Sequence, residues 1–374
     1  MQTFLITIIL IFLLLRLLVA TYNFFSSPIL TPLSCSTSAL ISVLIPARNE
    51  ALNLPVLLKS ILAQNLAQME ILILDDHSSD GTREIAESFA MEHRKIRVLR
   101  GKPLAEGWTG KNFACHQLAC EASGKYLLFL DADVKLHHGA IKNAVRRMKE
   151  KRLSLLSLIP SQQTFTFGEK ITVPLMNYLL LTLLPLKLIE SHPDPVFSAA
   201  CGQFMLFRAS SYQKHEWHKQ ARGKITEDLE IMKLIKQSGE KGEGLLSGNL
   251  VTCRMYSGFQ TAAQGFSKNF IAPFNNNILL YLTFVTLVAL GPLLIMTKGN
   301  AWQISSMVVL ITGIRLVTNK LSGQPLWQII LHPLQLLSLI YISIHSISQR
   351  LTNSAQWKGR SIPVNSAPAY SGKL

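Results

Sequence analysis

The acids of this chain that could do chemistry stand directly behind short apolar runs. Leu127-Leu128-Phe129-Leu130 is followed at once by Asp131-Ala132-Asp133. On extended backbone, side chains at i and i+2 share a face, so both carboxylates arrive at one place. Two hard oxygen ligands at one edge suit Mg²⁺ or Mn²⁺, ions that keep waters and bridge phosphate oxygens. A bare D-x-D is common, and a solvated turn is the plain alternative; its position behind a buried strand gives the pair its weight. Behind the run Glu70–Leu74 come Asp75-Asp76-His77-Ser78-Ser79-Asp80-Gly81-Thr82. Carboxylates this crowded are costly unless they bind something. Asp80-Gly81 serves as a turn and helix cap, whereas Asp75 or Asp76 suits hydrogen bonds to a base or ribose. Further on, Thr226-Glu227-Asp228 opens the helix-like segment Leu229–Gln237. Acids at a helix start also favour the dipole, so capping is one reading. The other is a general base that takes a proton from an acceptor hydroxyl.

Weaker signals surround these. In Pro46-Ala47-Arg48-Asn49-Glu50, Pro46 ends a strand and a polar loop leads towards a helix N-terminus, which offers free N–H groups. In Trp108-Thr109-Gly110-Lys111 the ammonium of Lys111 could reach a diphosphate. Arg254 of Arg254-Met255-Tyr256 could neutralise a leaving group, with the aromatic as part of an acceptor platform. His137-His138 reads as a helix-flanking surface pair rather than a metal site.

The elements that must position these residues alternate. Ile41–Ile45, Glu70–Leu74, Ile96–Leu99 and Tyr126–Leu130 read as strands; Glu50–Leu62 and Thr82–His93 read as helices. That alternation predicts an α/β fold with a mainly parallel sheet, whose ligands bind at the carboxyl ends of the strands.

The ends of the chain are different. Hydrophobic residues make up 48% of the 374 residues, and they concentrate at the termini and in one central stretch. Residues 1–22 predict a retained transmembrane anchor with Arg16 snorkelling to the cytosolic face, and 23–39 a linker. Residues 40–272 form the catalytic domain, with an apolar, interfacial segment at 171–190 broken by Pro174 and Pro185. Residues 273–348 predict two or three further spans, and 349–374 a polar tail. The expected place is therefore the cell membrane, multi-pass, with the catalytic domain cytoplasmic. Three trailing spans would put the basic tail outside, against the usual preference of Arg350, Lys358, Arg360 and Lys373 for the inside. The net charge of +15 fits cytoplasmic segments beside anionic headgroups. No nucleic-acid module is legible, so nucleic acid is not an expected partner. The odd set Cys35, Cys115, Cys120, Cys201 and Cys253 has irregular spacing and reads as reduced.

Taken together, these motifs resemble the family 2 glycosyltransferases over about residues 40–260. Ile41–Glu50 looks like their opening strand and loop, Asp75–Thr82 like the nucleotide-binding segment, Asp131-Ala132-Asp133 like the metal motif and Thr226-Glu227-Asp228 like the base motif. The resemblance implies a Rossmann-like GT-A fold with flanking transmembrane helices, and an inverting mechanism. It places Pro46, Glu50, Asp75, Asp76, Lys111 and Arg254 about a nucleotide-diphosphate sugar, with a UDP-sugar as the family expectation. Asp131 would contact the ribose or the metal and Asp133 the metal, with Mg²⁺ or Mn²⁺ as cofactor. Asp228 would be the base, with Glu227 beside it. Trp108–Lys111, Arg254–Tyr256 and Trp357-Lys358-Gly359-Arg360 are similar to membrane enzymes of carotenoid or hopanoid biosynthesis, which implies a hydrophobic acceptor embedded among membrane lipids. The Gln-x-x-Arg-Trp motif of the polysaccharide synthases is missing, which argues against a processive polymerase. A polyprenyl-phosphate transferase, a short-chain synthase and a non-catalytic nucleotide-binding scaffold are the alternatives.

Overall fold

The computed structural model describes residues 2–33, 37–274, 277–352, 356–357 and 360–361. Cys35, Lys358, Gly359 and the tail from residue 362 lie outside them. Ten strands serve the folded body: β1 (Ile41–Ala47), β2 (Met69–Asp75), β3 (Ile96–Arg100), β4 (Tyr126–Leu130), β5 (Val134–Leu136), β6 (Leu155–Ile159), β7 (Ser161–Gln162), β8 (Phe204–Arg208), β9 (Gly242–Leu246) and β10 (Val251–Cys253). Seven form the main sheet in the order β3-β2-β1-β4-β8-β6-β9, and β5-β10-β7 form a small second sheet. All neighbours in the main sheet are parallel except β8, which runs antiparallel between β4 and β6.

A parallel sheet is covered on both faces, so its strands read as continuous apolar runs. In β1, Ile41, Val43 and Ile45 enter one core layer while Leu44 enters the other. Helices complete each layer. In Ala140–Lys151, for instance, Ala140, Ile141, Ala144, Val145 and Met148 form one buried stripe. The strand order reverses between β1 and β4, and that switch point is where sheets of this kind open a crevice.

Two local expectations are corrected. Pro46 does not end its strand: β1 continues through Ala47, paired with β2 up to Ala47↔Asp75. Pairing with β4 stops at Leu44↔Phe129. Pro46 thus lies where the strand is paired on one side only, and a missing N–H there need not break a ladder. The helix expected from Glu50 begins at Leu54, with Pro55 in its first turn. Asn49 is left-handed (φ 53°), and the N–H groups of Glu50 and Ala51 are met by Thr82 Oγ1 and Asp80 Oδ2 at 2.7 and 3.1 Å.

Among the described residues, four helices are long and apolar enough to cross a membrane: Gln2–Ser26, Ile278–Lys298, Ala301–Ser322 and Leu326–Leu351. The second contains a π-helical turn, Thr286–Leu290, just before Pro292, where the proline leaves a carbonyl without its usual donor. The central apolar stretch is not one helix but three, Phe167–Thr172, Pro174–Leu183 and Lys187–Ser191. Its longest piece has 10 residues, too few to cross a bilayer, and packs against Gln2–Ser26 and Ala301–Ser322.

Arg16 does not snorkel. It is buried, and donates from Nε and Nη2 to Thr182 Oγ1 (3.2 and 2.7 Å) and from Nη1 to the Tyr178 hydroxyl (3.1 Å). Hydroxyls on the neighbouring helix satisfy it through internal hydrogen bonds. The first helix also outruns residue 22. Asn23 donates to the carbonyls of Leu181 and Leu184, both at 2.9 Å, and accepts from Leu186 N–H at 2.8 Å. Beyond it, Leu30 N–H bonds Leu246 O at 2.9 Å, so the connector covers part of the β9 edge.

Candidate active site

The antiparallel β8 brings the acids together. Because it runs against β4, its start meets the end of β4, with Leu130 opposite Phe204. Cys201-Gly202-Gln203 therefore sits beside Asp131-Ala132-Asp133. Lys111, in the first turn of the helix Gly110–Glu121, reaches the same place. Its ammonium lies 2.8 Å from the Asp131 carboxylate and 3.1 Å from Glu227. Asp228 accepts from the N–H groups of Gly202 (2.9 Å) and Leu229 (2.8 Å). A Cβ built on Gly202 would lie 2.8 Å from Lys111 Nζ, 3.2 Å from Glu227 and 3.7 Å from Asp228. The lack of a side chain at Gly202 is what lets the three charged groups converge.

Asp133 is held by Gln203, whose Nε2 donates to Oδ2 at 3.1 Å and lies 2.8 Å from Cys253 Sγ. Its other oxygen, Oδ1, is buried and has no hydrogen-bond partner among the described residues. On the β1–β2 side, Arg48 donates to the carbonyls of Asp76 (2.6 Å) and His77 (3.2 Å) and so closes the turn after β2. Ser78 N–H donates to Asp75 Oδ1 at 3.2 Å. Asp80 serves the turn ahead of the helix, accepting from Thr82 N–H at 3.1 Å, while Gly81 occupies the cap position. Asp75 and Asp76 are buried at this edge.

Crowded carboxylates raise one another's pKa. Burial, then Asp131 and Glu50, push Asp133 up to about 7. Burial pushes Glu227 up to about 7, with Lys111 opposing and Asp228 and Asp131 assisting. Burial also raises Asp228, against Lys111 and its two backbone donors. For Lys111, burial favours the neutral amine, but Asp131 and Glu227 outweigh it and hold the ammonium well above the usual lysine range.

These shifts carry a sign. A carboxyl whose folded pKa exceeds its unfolded value favours the fold while protonated. That contribution is lost as pH rises from the ordinary carboxyl range to about 7 for Asp133 and Glu227. In chelator, the melting temperature is expected to fall between pH 5 and pH 8. Asp133→Asn should flatten that slope, and parallel slopes for the two proteins would refute the assignment. Acids held low by their partners, such as Asp80 and Glu169, titrate below this window and do not mask the effect.

The residues present fit a divalent cation. Asp131 and Asp133 are hard oxygen donors under mutual repulsion, one oxygen of Asp133 is buried without a partner, and a cation relieves both. No group of three or more metal-binding side chains clusters among the described residues, so the remaining ligands would be phosphate oxygens and water.

Lys111 lies at the candidate site, whereas Arg254 is turned to a buried acid. Lys111 is placed between two carboxylates. Arg254 pairs with Glu169 at 2.9 Å and lies 4.9 Å from the Phe165 ring centroid, drawn there because Glu169 is fully buried and needs a cation. Tyr256 packs edge-on against Phe266. His137 and His138 flank the helix Ala140–Lys151. Cys115, Cys120, Cys201 and Cys253 are free thiols. Gly202, Gln203 and Cys253 belong to the site but had no legible signal, since their nearness to the acids depends on β8 and β10.

A Rossmann-like sheet with two acids at the end of β4, and a base candidate opposite them, defines a GT-A fold. Residues 42–216 match the family described as Glycosyl transferase family 2. Among curated proteins, it is 29% identical over 237 residues to a 4,4'-diaponeurosporenoate glycosyltransferase of Staphylococcus haemolyticus, covering 62% of this chain and 61% of that one. It is 27% identical over 234 residues to the protein of the same name from Staphylococcus aureus strain USA300, covering 61% and 60%. The matched region thus spans about 61% of the length of these relatives. A solved mannosyltransferase of Pyrobaculum calidifontis, in complex with GDP-Man and Mn²⁺, shares the fold with a TM-score of 0.59 at 14% identity, over 92% of this chain and 97% of that one.

Proposed function

We propose that the protein is a membrane-bound, inverting glycosyltransferase that moves a sugar from a nucleotide-diphosphate donor to a hydroxyl or carboxyl of a lipid-like acceptor. The observation that carries this reading is the convergence of Lys111, Glu227 and Asp228 on Gly202, beside Asp131 and an Asp133 with a free buried oxygen. Asp75 and Asp76 lie where a base and ribose would sit. Asp131 and Asp133 would hold Mg²⁺ or Mn²⁺, which offsets diphosphate charge as the donor bond breaks. Asp228, held by two N–H groups and raised in pKa, is placed to take a proton from an acceptor hydroxyl. Lys111 keeps Asp131 and Glu227 in register and adds positive charge to the donor side. The named substrate of the curated relatives supports a carotenoid acid as the acceptor to try; a UDP-sugar, the expectation from the family resemblance, is the donor to try first. The four long apolar helices support a multi-pass cell-membrane protein with the catalytic body in the cytoplasm.

Transfer in purified membranes tests this, with a panel of nucleotide sugars, Mg²⁺ or Mn²⁺, and lipid extract. Metal-dependent transfer to a lipid is the expected result. A folded protein that binds nucleotide but turns over no donor would move the reading to a scaffold. Gly202→Ala supplies an internal check. Its methyl would displace Lys111 from Glu227, so turnover should fall at least about tenfold, a barrier change of roughly 1.4 kcal/mol, with little change in melting temperature. Unchanged turnover would show that this convergence is not used.

A further inference from the structure

Away from the catalytic edge, the helical bundle buries two guanidinium groups around one tyrosine. Arg16 is 2% exposed and Arg315 1%. Their Cζ atoms lie 4.5 and 5.0 Å from the ring centroid of Tyr178. Arg16 is hydrogen-bonded to Thr182 and Tyr178, but Arg315 is not satisfied: its buried Nε and Nη2 have no partner among the described residues. His332 stacks edge-on against the same ring at 5.3 Å and leaves a buried Nδ1 without a partner. No carboxylate is ion-paired to either arginine among the described residues.

Two buried positive charges with no counter-ion are strongly unfavourable, and more so inside a bilayer. Aromatic rings offset only part of that cost. The planar fork of Arg315, with its free donors, matches the oxygens of a carboxylate or phosphate, and basic pockets between spanning helices hold anionic lipid heads. The cluster also connects to the catalytic edge. Arg315 lies seven positions before the end of its helix at Ser322, roughly 10 Å along the axis, and Gln324 follows in the turn beyond it. Gln324 donates to the Gln162 carbonyl at 2.8 Å, and the Gln162 amide reaches Gln203, the residue that holds Asp133, at 3.3 Å.

We propose that Arg315, with Arg16, Tyr178 and His332, forms a binding site for the single anionic group, carboxylate or phosphate, of a bilayer-dissolved lipid, held beneath the catalytic edge. The inference rests on the membrane reading of the helices and not on sugar transfer, so binding is measured without donor. The full chain in nonionic detergent is titrated with oleate, dioleoyl phosphatidic acid, oleyl alcohol and inorganic phosphate, with native mass spectrometry and thermal melting as readouts. Oleate or phosphatidic acid should bind and raise the melting temperature, and which binds tighter identifies the head group. Arg315→Gln should weaken that binding at least tenfold, yet melt no lower than wild type without lipid, because an uncompensated charge has been removed. If that variant does not fold, Arg315→Lys keeps the charge without the planar fork and should bind severalfold more weakly. The proposal is overturned if oleyl alcohol binds as well as oleate, if inorganic phosphate alone saturates the site, or if the folded Arg315 variants bind like wild type.

Discussion

Asp133→Ala is expected to reduce metal-dependent transfer by about a thousandfold, roughly 4 kcal/mol of barrier, while the protein melts no lower than wild type at pH 8. The two halves of this result have one cause. Asp133 is pushed up to about 7 by burial and by its neighbours Asp131 and Glu50, so its charge is unfavourable in the protein alone, and removing it relieves strain. The same charge, with Oδ1 lacking a hydrogen-bond partner among the described residues, is what would meet a divalent cation on the donor diphosphate. Residues kept for stability show the opposite pattern, losing stability and activity together. Asp133→Asn keeps the shape and should behave as the alanine variant does. The checks are initial rates at saturating Mg²⁺ or Mn²⁺ and thermal melts of the same preparations. Retained turnover in both variants would remove Asp133 from the site.

Asp228→Asn is the second large effect, and its size depends on the acceptor. The asparagine oxygen can still accept from Gly202 N–H, so geometry is largely kept while the base is lost. With a hydroxyl acceptor, transfer should fall by about 10²–10⁴-fold, the usual worth of a positioned general base, and the loss should lie in kcat rather than KM. A carboxylate acceptor is already ionised near neutral pH and has no proton to give up. For such an acceptor the loss should be about tenfold, reflecting orientation alone. Parallel assays with a lipid alcohol and a lipid acid measure the difference. Full activity with the alcohol would place the base elsewhere, Glu227 being the neighbouring group to test.

Much of this was legible in one dimension because apolar runs and chain punctuation are local. The run Tyr126–Leu130 is a strand with those bounds, and the acids behind it lie at its carboxyl end because a parallel sheet places them there. The four long apolar helices are equally local, since a continuous apolar run is read within one segment. Local reasoning misjudged two details for which partners decide. Pro46 stays in a strand because pairing has already stopped on one side, and Arg16 stays inside because Thr182 and Tyr178 are there to receive it.

The sequence by itself determined the chemistry available: acids behind strands, a lysine behind a glycine, a Thr-Glu-Asp triplet before a helix and long apolar segments at both ends. Each follows from residue type and short-range periodicity. Only the tertiary structure decided which of these meet. β8 inserts antiparallel beside β4, and this carries Gly202 and Gln203 to Asp131 and Asp133. The buried Glu169 draws Arg254 to itself, and Arg16 and Arg315 come from distant parts of the chain to one tyrosine. The reason is physical: strand order and the pairing of buried charges are settled by contacts between segments far apart in the chain, and these leave no period in the sequence.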